Sequence, residues 1–307
     1  MPPISRQVGL CLPAWSNALS NAAVITRTQH ETLNWKDTDD MEEPGAGTFA
    51  KLLRRLIADG VIRPDDSVLV QFAGSFDEAV CAEVGLTNCS FGNIAPDTHS
   101  TGSTSAAVFD AHRMPQPPGS FDHVMGHSGL HHCSRPHEAL HEMYRLARKT
   151  VIFVENQDSV MMRAASRAGV VPWHELPAVI DGEYRSGGVD GTGVPNFVYR
   201  WTRREVRKAV GSFDPAYTVP IEFHTEWNLG SGRLAARLLQ NKLRLSDDRA
   251  QQGFGWAHRV LNATMPGQGN IFAAIIRKDL AKLNPWMESP TEMKRVPIEI
   301  GADEQVS

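Results

Sequence analysis

Residues 120–156, SFDHVMGHSGLHHCSRPHEALHEMYRLARKTVIFVEN, contain a complete βαβ pattern. A short apolar strand runs into a loop crowded with histidines. Pro136 then opens an amphipathic helix, and a second apolar strand ends in Glu155 and Asn156. Two strands joined by a helix in about 35 residues should be parallel neighbours in one sheet. Ligands of open α/β sheets bind where the strands end, so the polar loop after Val124 and Met125 is a candidate site on topology alone.

The helix of this unit also contains His137-Glu138-Ala139-Leu140-His141, which fits the H-E-x-x-H pattern of zinc peptidases. At roughly 100° per residue, Ala139, Leu140, Met143, Leu146 and Ala147 gather on one face with Pro136. His137 and His141 fall on the opposite flank, beside Arg148 and near Arg145, where guanidinium groups oppose a dication. The spacing therefore reads as a solvated helix flank, with a zinc peptidase as the rival reading. Six histidines lie between 123 and 141, but they scatter over strand, loop and helix, so no resident metal is expected. His123, inside a strand, reads as a structural histidine.

Outward from this unit the elements keep alternating. The apolar spacing of 49–62 predicts a helix stopped by Gly60. Strands are expected over 67–72, 87–93, 106–110, 121–126 and 151–155, with a helix over 77–84 and a surface loop at 115–119. This alternation with short apolar strands argues for a parallel sheet covered on both faces. Beyond Asn156 the pattern predicts a helix over 160–168, a glycine-rich irregular stretch over 172–199, and a helix over 202–210. Thr202 and Glu205 there form a capping box. Segments 219–223 and 271–277 complete the sheet as an antiparallel pair. Residues 1–48 read as an irregular N-terminal segment holding Trp15 and Trp35. Residues 281–307, with many charges and prolines, read as a loose tail.

The chain has 307 residues, 41% hydrophobic and 21% charged, as in ordinary globular proteins that fold without disulfides or metals. A net charge of −4 offers no basic field, which argues against a nucleic-acid partner. Cys11, Cys81, Cys89 and Cys133 lack metal-ligand spacing and read as reduced thiols. No apolar run is long enough to span a bilayer, and the first residues do not resemble a signal peptide. The expected setting is the cytoplasm, without membrane association; a homo-oligomer stays open.

The wording of 120–156, an "FD-x-V" strand followed by "LHH" and then "P-x-x-AL-x-EM-x-R", resembles class I methyltransferases that use S-adenosyl-L-methionine. Val108-Phe109-Asp110-Ala111 resembles the same family's "D-A" pair. The resemblance covers the element order of about residues 50–280. It implies an α/β fold with a Rossmann-like, seven-stranded, mostly parallel sheet flanked by helices and closed by an antiparallel C-terminal strand pair. It places the methyltransferase-like domain at 49–280, with an inserted lid at about 157–215.

The family's glycine-rich first turn corresponds to Phe72-Ala73-Gly74-Ser75-Phe76, with Gly74 at the central position and bulky rings replacing the outer glycines. The resemblance makes Phe72, Ala73 and Gly74 cofactor-binding. It gives Asn93 the place of the ribose acid, Asp110 and Ala111 the adenine contacts, and His127 the methyl-donor end. His131 and His132 become candidate proton acceptors, since histidine titrates near neutral pH. Tyr184, Arg185, Tyr199 and Arg200, in the lid, become candidates for holding a small-molecule acceptor. The implied activity is methyl transfer to an oxygen or nitrogen of a small or sugar-like molecule. Phe72, Phe76 and the missing ribose acid motivate the alternative of a methyltransferase-like fold that has lost the transfer and serves binding or other chemistry.

Overall fold

The computed structural model describes residues 46–94, 107–228 and 247–295. Most of the 1–48 segment, Ala106 at the start of the third expected strand, and the end of the expected tail lie outside the described residues. The sheet strands are β1 (Val68–Gln71), β2 (Cys89–Asn93), β3 (Ala107–Val108), β4 (Phe121–His127), β5 (Ala147–Asn156), and, beyond a short β6 (Tyr217–Thr218), β7 (Ile221–Glu226) and β8 (Ile271–Arg277). Their order is β3-β2-β1-β4-β5-β8-β7. The first five run parallel, β8 lies antiparallel against β5, and β7 antiparallel against β8. This is the expected mostly parallel, seven-stranded α/β sheet with its antiparallel closing pair.

Side-chain alternation builds a core on each face. Val68, Val70, Ile152, Val154, Ile271, Ala273 and Ile275 face helices α1 (Ala46–Ala58) and α2 (Ser75–Glu83). Leu69, Val151, Phe153, Phe272, Ala274 and Ile276 face α3 (Pro136–Leu146) and, past α4 (Val160–Arg167) and α5 (Pro177–Asp181), α6 (Arg203–Phe213). The stripe read from the sequence is buried as expected: Ala139, Leu140, Met143 and Leu146 are fully inaccessible. Each large apolar side chain there contributes roughly 1.5–3 kcal/mol. Pro136 opens α3, and α6 starts on the expected capping box, with Thr202 Oγ1 accepting from the Glu205 amide at 3.0 Å. Gly60, at φ +69°, ends the first helix.

Two expectations change in detail. The third strand is only two residues long and exposed, because it pairs on one side alone before the chain turns at Asp110. Helix α7 (Asp247–Thr264) leads into β8, and beyond it, within the supposed tail, residues 282–293 form β9 (Lys282–Leu283), β10 (Met287–Ser289) and β11 (Glu292–Met293). β9 pairs with β6, and the Asn284 amide donates to Ala216 O at 2.9 Å. A loose tail therefore does not describe this part.

His123 is the structural histidine expected. It is fully buried, contacts Thr150 Oγ1, and sets Nε2 3.0 Å from Asp66 Oδ2. Asp66 also accepts from Lys149 Nζ at 2.7 Å and from the Arg63 amide at 2.8 Å. Burial alone would raise its pKa, but the Lys149 ammonium, the Arg63 amide and His123 outweigh burial and hold the carboxyl well below the usual carboxylate range. A depressed carboxylate stabilises the fold above its unfolded pKa, and that stability is lost as pH falls through the folded value. Asp66→Asn should lower stability at neutral pH by roughly 1.5–3 kcal/mol, the range for hydrogen bonds to charged groups. The gap between variant and parent should close in strong acid. Denaturant melts at neutral pH and in acid check this; a gap independent of pH would refute it.

Candidate functional site

The C-terminal ends of β1, β2, β3 and β4 open into a cavity of about 360 Å³, within the size range of small-molecule sites. It sits where the strand order reverses, since β1 lies between β2 and β4. Its walls come from the turn after β1 (Gln71, Phe72, Gly74), the ends of β2 and β3 (Asn93, Asp110, Ala111), and the loop after β4 (His127, Gly129, His132). The fourth side is the glycine-rich segment after α5, including Gly187, Gly188 and Asp190.

The first turn explains how two phenylalanines replace glycines. Phe72 takes φ +63°, the left-handed conformation that glycine would adopt without strain. Its ring packs over β4 and the following loop, where a Cβ on Gly129 would come 2.0 Å from the Phe72 ring and one on Gly126 would come 3.1 Å from it. The room absent from the turn is supplied by these two glycines. Phe76 goes to the opposite face of the sheet, its ring 5.7 Å from the His127 ring. Gly74 caps α2, its amide donating to Asp77 Oδ2 at 2.9 Å, and Asp77 Oδ1 lies 3.4 Å from His127 Nδ1. His127 itself is buried and stacks on Phe49 at 5.3 Å.

Asn93 donates to Ala73 O at 3.0 Å and accepts the Ile94 amide at 2.7 Å, so it ties the end of β2 to the first turn. Asp110 is half exposed at the cavity edge and accepts the backbone and ring N–H of His112 at 2.9 and 2.7 Å. The His112 amide bond leads in holding the Asp110 carboxyl below its ordinary pKa. Gln71 was not singled out by the sequence. It is 3% exposed, it lines the cavity, and neither its amide nitrogen nor its oxygen has a partner. The only sequence signal is a polar residue closing an apolar strand.

The histidine loop is organised by two glutamates. Glu155, at the end of β5 and 2% exposed, accepts the Leu130 amide at 2.7 Å and lies 2.8 Å from His131 Nδ1. His131 Nε2 lies 3.2 Å from Glu175 Oε2, and His132 Nε2 lies 3.4 Å from the same oxygen. Burial would lower the His131 pKa, but the Glu155 charge and the bonds to both glutamates raise it to about 10. The two glutamates thus favour the protonated ring of His131, which makes it a poorer proton acceptor than the sequence alone suggests. His132 behaves oppositely: burial first, then the neighbouring His131 charge, push its pKa down, and it reaches the cavity wall. Glu175 is drawn to about 2, since His131 and His132 outweigh its burial. Asn196 Nδ2 donates to His131 O at 3.1 Å and to Glu175 Oε2 at 3.4 Å, fastening the lid segment to the loop.

The four residues expected to hold an acceptor do not line this cavity. Tyr184 is 69% exposed, and Arg185 is exposed. Tyr199 bonds Glu205 and packs edge-on against Trp201, while Arg200 donates to Pro172 O at 2.8 Å and lies over Trp173. Tyr199 and Arg200 brace the lid instead. His137 and His141 stay on the helix flank: His137 Nε2 lies 3.0 Å from Glu205, and His141 packs on Phe213. Neither joins a metal-binding grouping among the described residues. No described helix is long and apolar enough to cross a membrane.

Residues 71–154, from the last residue of β1 into β5, match the sequence model of a family described as a methyltransferase domain. No curated protein matches the chain. Among solved structures, a SAM-dependent methyltransferase from Archaeoglobus fulgidus is 15% identical, with a TM-score of 0.44 over 76% of this chain and 94% of that one. YcgJ from Bacillus subtilis is 12% identical, with a TM-score of 0.44 over 74% and 99%. Phosphoethanolamine N-methyltransferase 2 from Haemonchus contortus, in complex with S-adenosyl-L-methionine, is 14% identical, with a TM-score of 0.45 over 80% and 55%. At these identities the likeness is confined to the fold.

Proposed function

From the match of residues 71–154 to the model of a methyltransferase domain, we propose that this chain moves a methyl group from S-adenosyl-L-methionine to an oxygen or nitrogen of a small acceptor bound under the lid. The observation that carries this reading is the cavity at the strand ends with the Gln71 amide buried in its wall and unpaired. A buried polar group without a partner costs about 1–3 kcal/mol, and a polar ligand in the cavity removes that cost. When bound, the cofactor supplies a methyl group on a positively charged sulfur, which needs no further activation.

The chain's own residues would supply binding and placement. Gln71 and the Gly74 turn would hold the polar part of the cofactor, and Asp110 with Ala111 its adenine end. The Asn93 amide, already engaged in the turn, would contribute by shaping the pocket. The acceptor's proton would leave at the corner made by His132 and Glu175, where His132 keeps a neutral ring. Lid residues Gly187, Gly188 and Asp190 would close the remaining side. Positioning supplies most of the rate in such a site, because holding two reactants in line replaces a bimolecular encounter.

Calorimetry with S-adenosylhomocysteine tests the reading; absence of binding at millimolar ligand refutes it. Gln71→Leu gives a sharper test. The substitution removes an unpaired amide from the empty protein, so the ligand-free form should melt higher. Affinity for S-adenosylhomocysteine should fall by about 2–10-fold, the scale of one neutral hydrogen bond. Unchanged affinity would assign Gln71 no part in the cofactor site.

A further inference from the structure

We propose that His131, His132 and Glu175 form a binding site for one first-row divalent cation of the Zn²⁺ type, which pins the lid to the loop after β4. The site is distinct from the H-E-x-x-H spacing on α3. Its three ligand atoms lie within 4.8 Å of one another. His131 Nε2 and His132 Nε2 converge on a single oxygen, Glu175 Oε2, at 3.2 and 3.4 Å. Ligands about 2.0–2.1 Å from a tetrahedral zinc lie roughly 3.3 Å apart, which these two separations match. Two imidazoles and one carboxylate are also a donor set that suits zinc and its neighbours over calcium or magnesium.

The surroundings are those of a supported metal site. A ligating histidine commonly gives its second ring nitrogen to a carboxylate, which sets tautomer and orientation. Glu155 meets His131 Nδ1 at 2.8 Å and is itself fixed by the Leu130 amide. Asn196 donates to the ligand oxygen of Glu175 and to the carbonyl of His131. Two ring nitrogens that converge on one carboxylate oxygen need a proton or a cation between each nitrogen and the oxygen. Two protons or one dication can fill that role, and the dication replaces both.

The consequence concerns the lid. Glu175 belongs to the segment that covers the cavity, whereas His131 and His132 belong to the strand-end loop. One cation would join the two covalently distant pieces at the cavity edge. It would also take the His132 nitrogen, so the loaded and metal-free forms would differ in whether that corner accepts a proton. The inference stands on these ligands and not on methyl transfer.

The test uses the full chain, stripped with a chelator and titrated with Zn²⁺ by calorimetry, and with Co²⁺ by visible absorption. The expected result is one Zn²⁺ per chain at micromolar affinity or tighter, a Co²⁺ spectrum of a low-coordinate N/O site, and slower proteolysis within 172–199. Glu175→Gln and His132→Gln should each weaken Zn²⁺ binding by more than the roughly 10–100-fold that loss of a supporting residue causes. Circular dichroism identifies a variant that fails to fold, and the other then carries the test. The double variant His137→Gln, His141→Gln should bind Zn²⁺ like the parent. Absence of stoichiometric binding overturns the proposal, as does binding that survives in folded Glu175→Gln and His132→Gln. Binding of S-adenosylhomocysteine to the metal-free chain is measured separately, and its failure counts against the proposed methyltransferase function alone.

Discussion

Replacing His132 by Asn should lower methyl transfer by roughly 10²–10⁴-fold while affinity for S-adenosylhomocysteine stays near that of the parent. The argument rests on the unequal environments of two adjacent histidines. His131 sits between Glu155 and Glu175, which favour its protonated ring, with a pKa raised to about 10 despite burial. His132 reaches the cavity and is held below the ordinary histidine value by burial and by its charged neighbour. A group that accepts a proton must first be deprotonated, so activity in the parent should fall only on the acidic side. That acidic limb should lie below the usual histidine range and should disappear in the variant. His131→Asn should act differently, lowering stability by leaving Glu155 buried without its partner. If His132→Asn keeps most of the parent's turnover, the loop only shapes the pocket and catalysis rests on proximity alone.

Gly129→Ala should destabilise the chain by about 1–3 kcal/mol or more, the usual result of overpacking, and should abolish detectable cofactor binding. The new Cβ would lie 2.0 Å from the Phe72 ring, far inside contact distance. The ring has little freedom to yield. Its backbone is held at φ +63°, and a Cβ on Gly126 would also come 3.1 Å from the ring. Adding Phe72→Ala to Gly129→Ala should restore part of the loss, because the two positions share one volume and must couple. Thermal melts of the parent, both single variants and the double variant measure that coupling. Additive effects, or a Gly129→Ala protein as stable as the parent, would show that Phe72 is not held in place by this glycine.

The first turn shows how little a motif says when its compensations lie elsewhere. Phe72 and Phe76 read as obstructions in a turn that should be glycine-rich. One ring is accommodated by Gly126 and Gly129 on β4 and its loop, and the other leaves for the opposite face of the sheet. The adaptation is more than 50 residues away along the chain, so no local reading of the turn can find it. Asn93 and Asp110, by contrast, stand at the strand ends as expected, although each is partly occupied by local bonds.

The sequence by itself determined the order and type of the elements. The continuous apolar run of Val68 to Val70, period-3.6 burial from Ala139 to Leu146, and the Thr202–Glu205 cap are local patterns, and local backbone preference is enough to express them. The parallel strands then follow from the alternation of apolar runs with helices. What only the tertiary structure decided is which polar groups meet. Glu155 and Glu175 reach His131 from 24 and 44 positions away, and they raise its pKa while that of the adjacent His132 is lowered. Tyr184, Arg185, Tyr199 and Arg200 have the chemistry of a binding site but do not line the cavity, and Gln71 is left in its wall without a partner. Pairing, burial and charge at a site arise where distant segments converge, and that convergence is set by packing of the whole core rather than by the spacing of any one stretch.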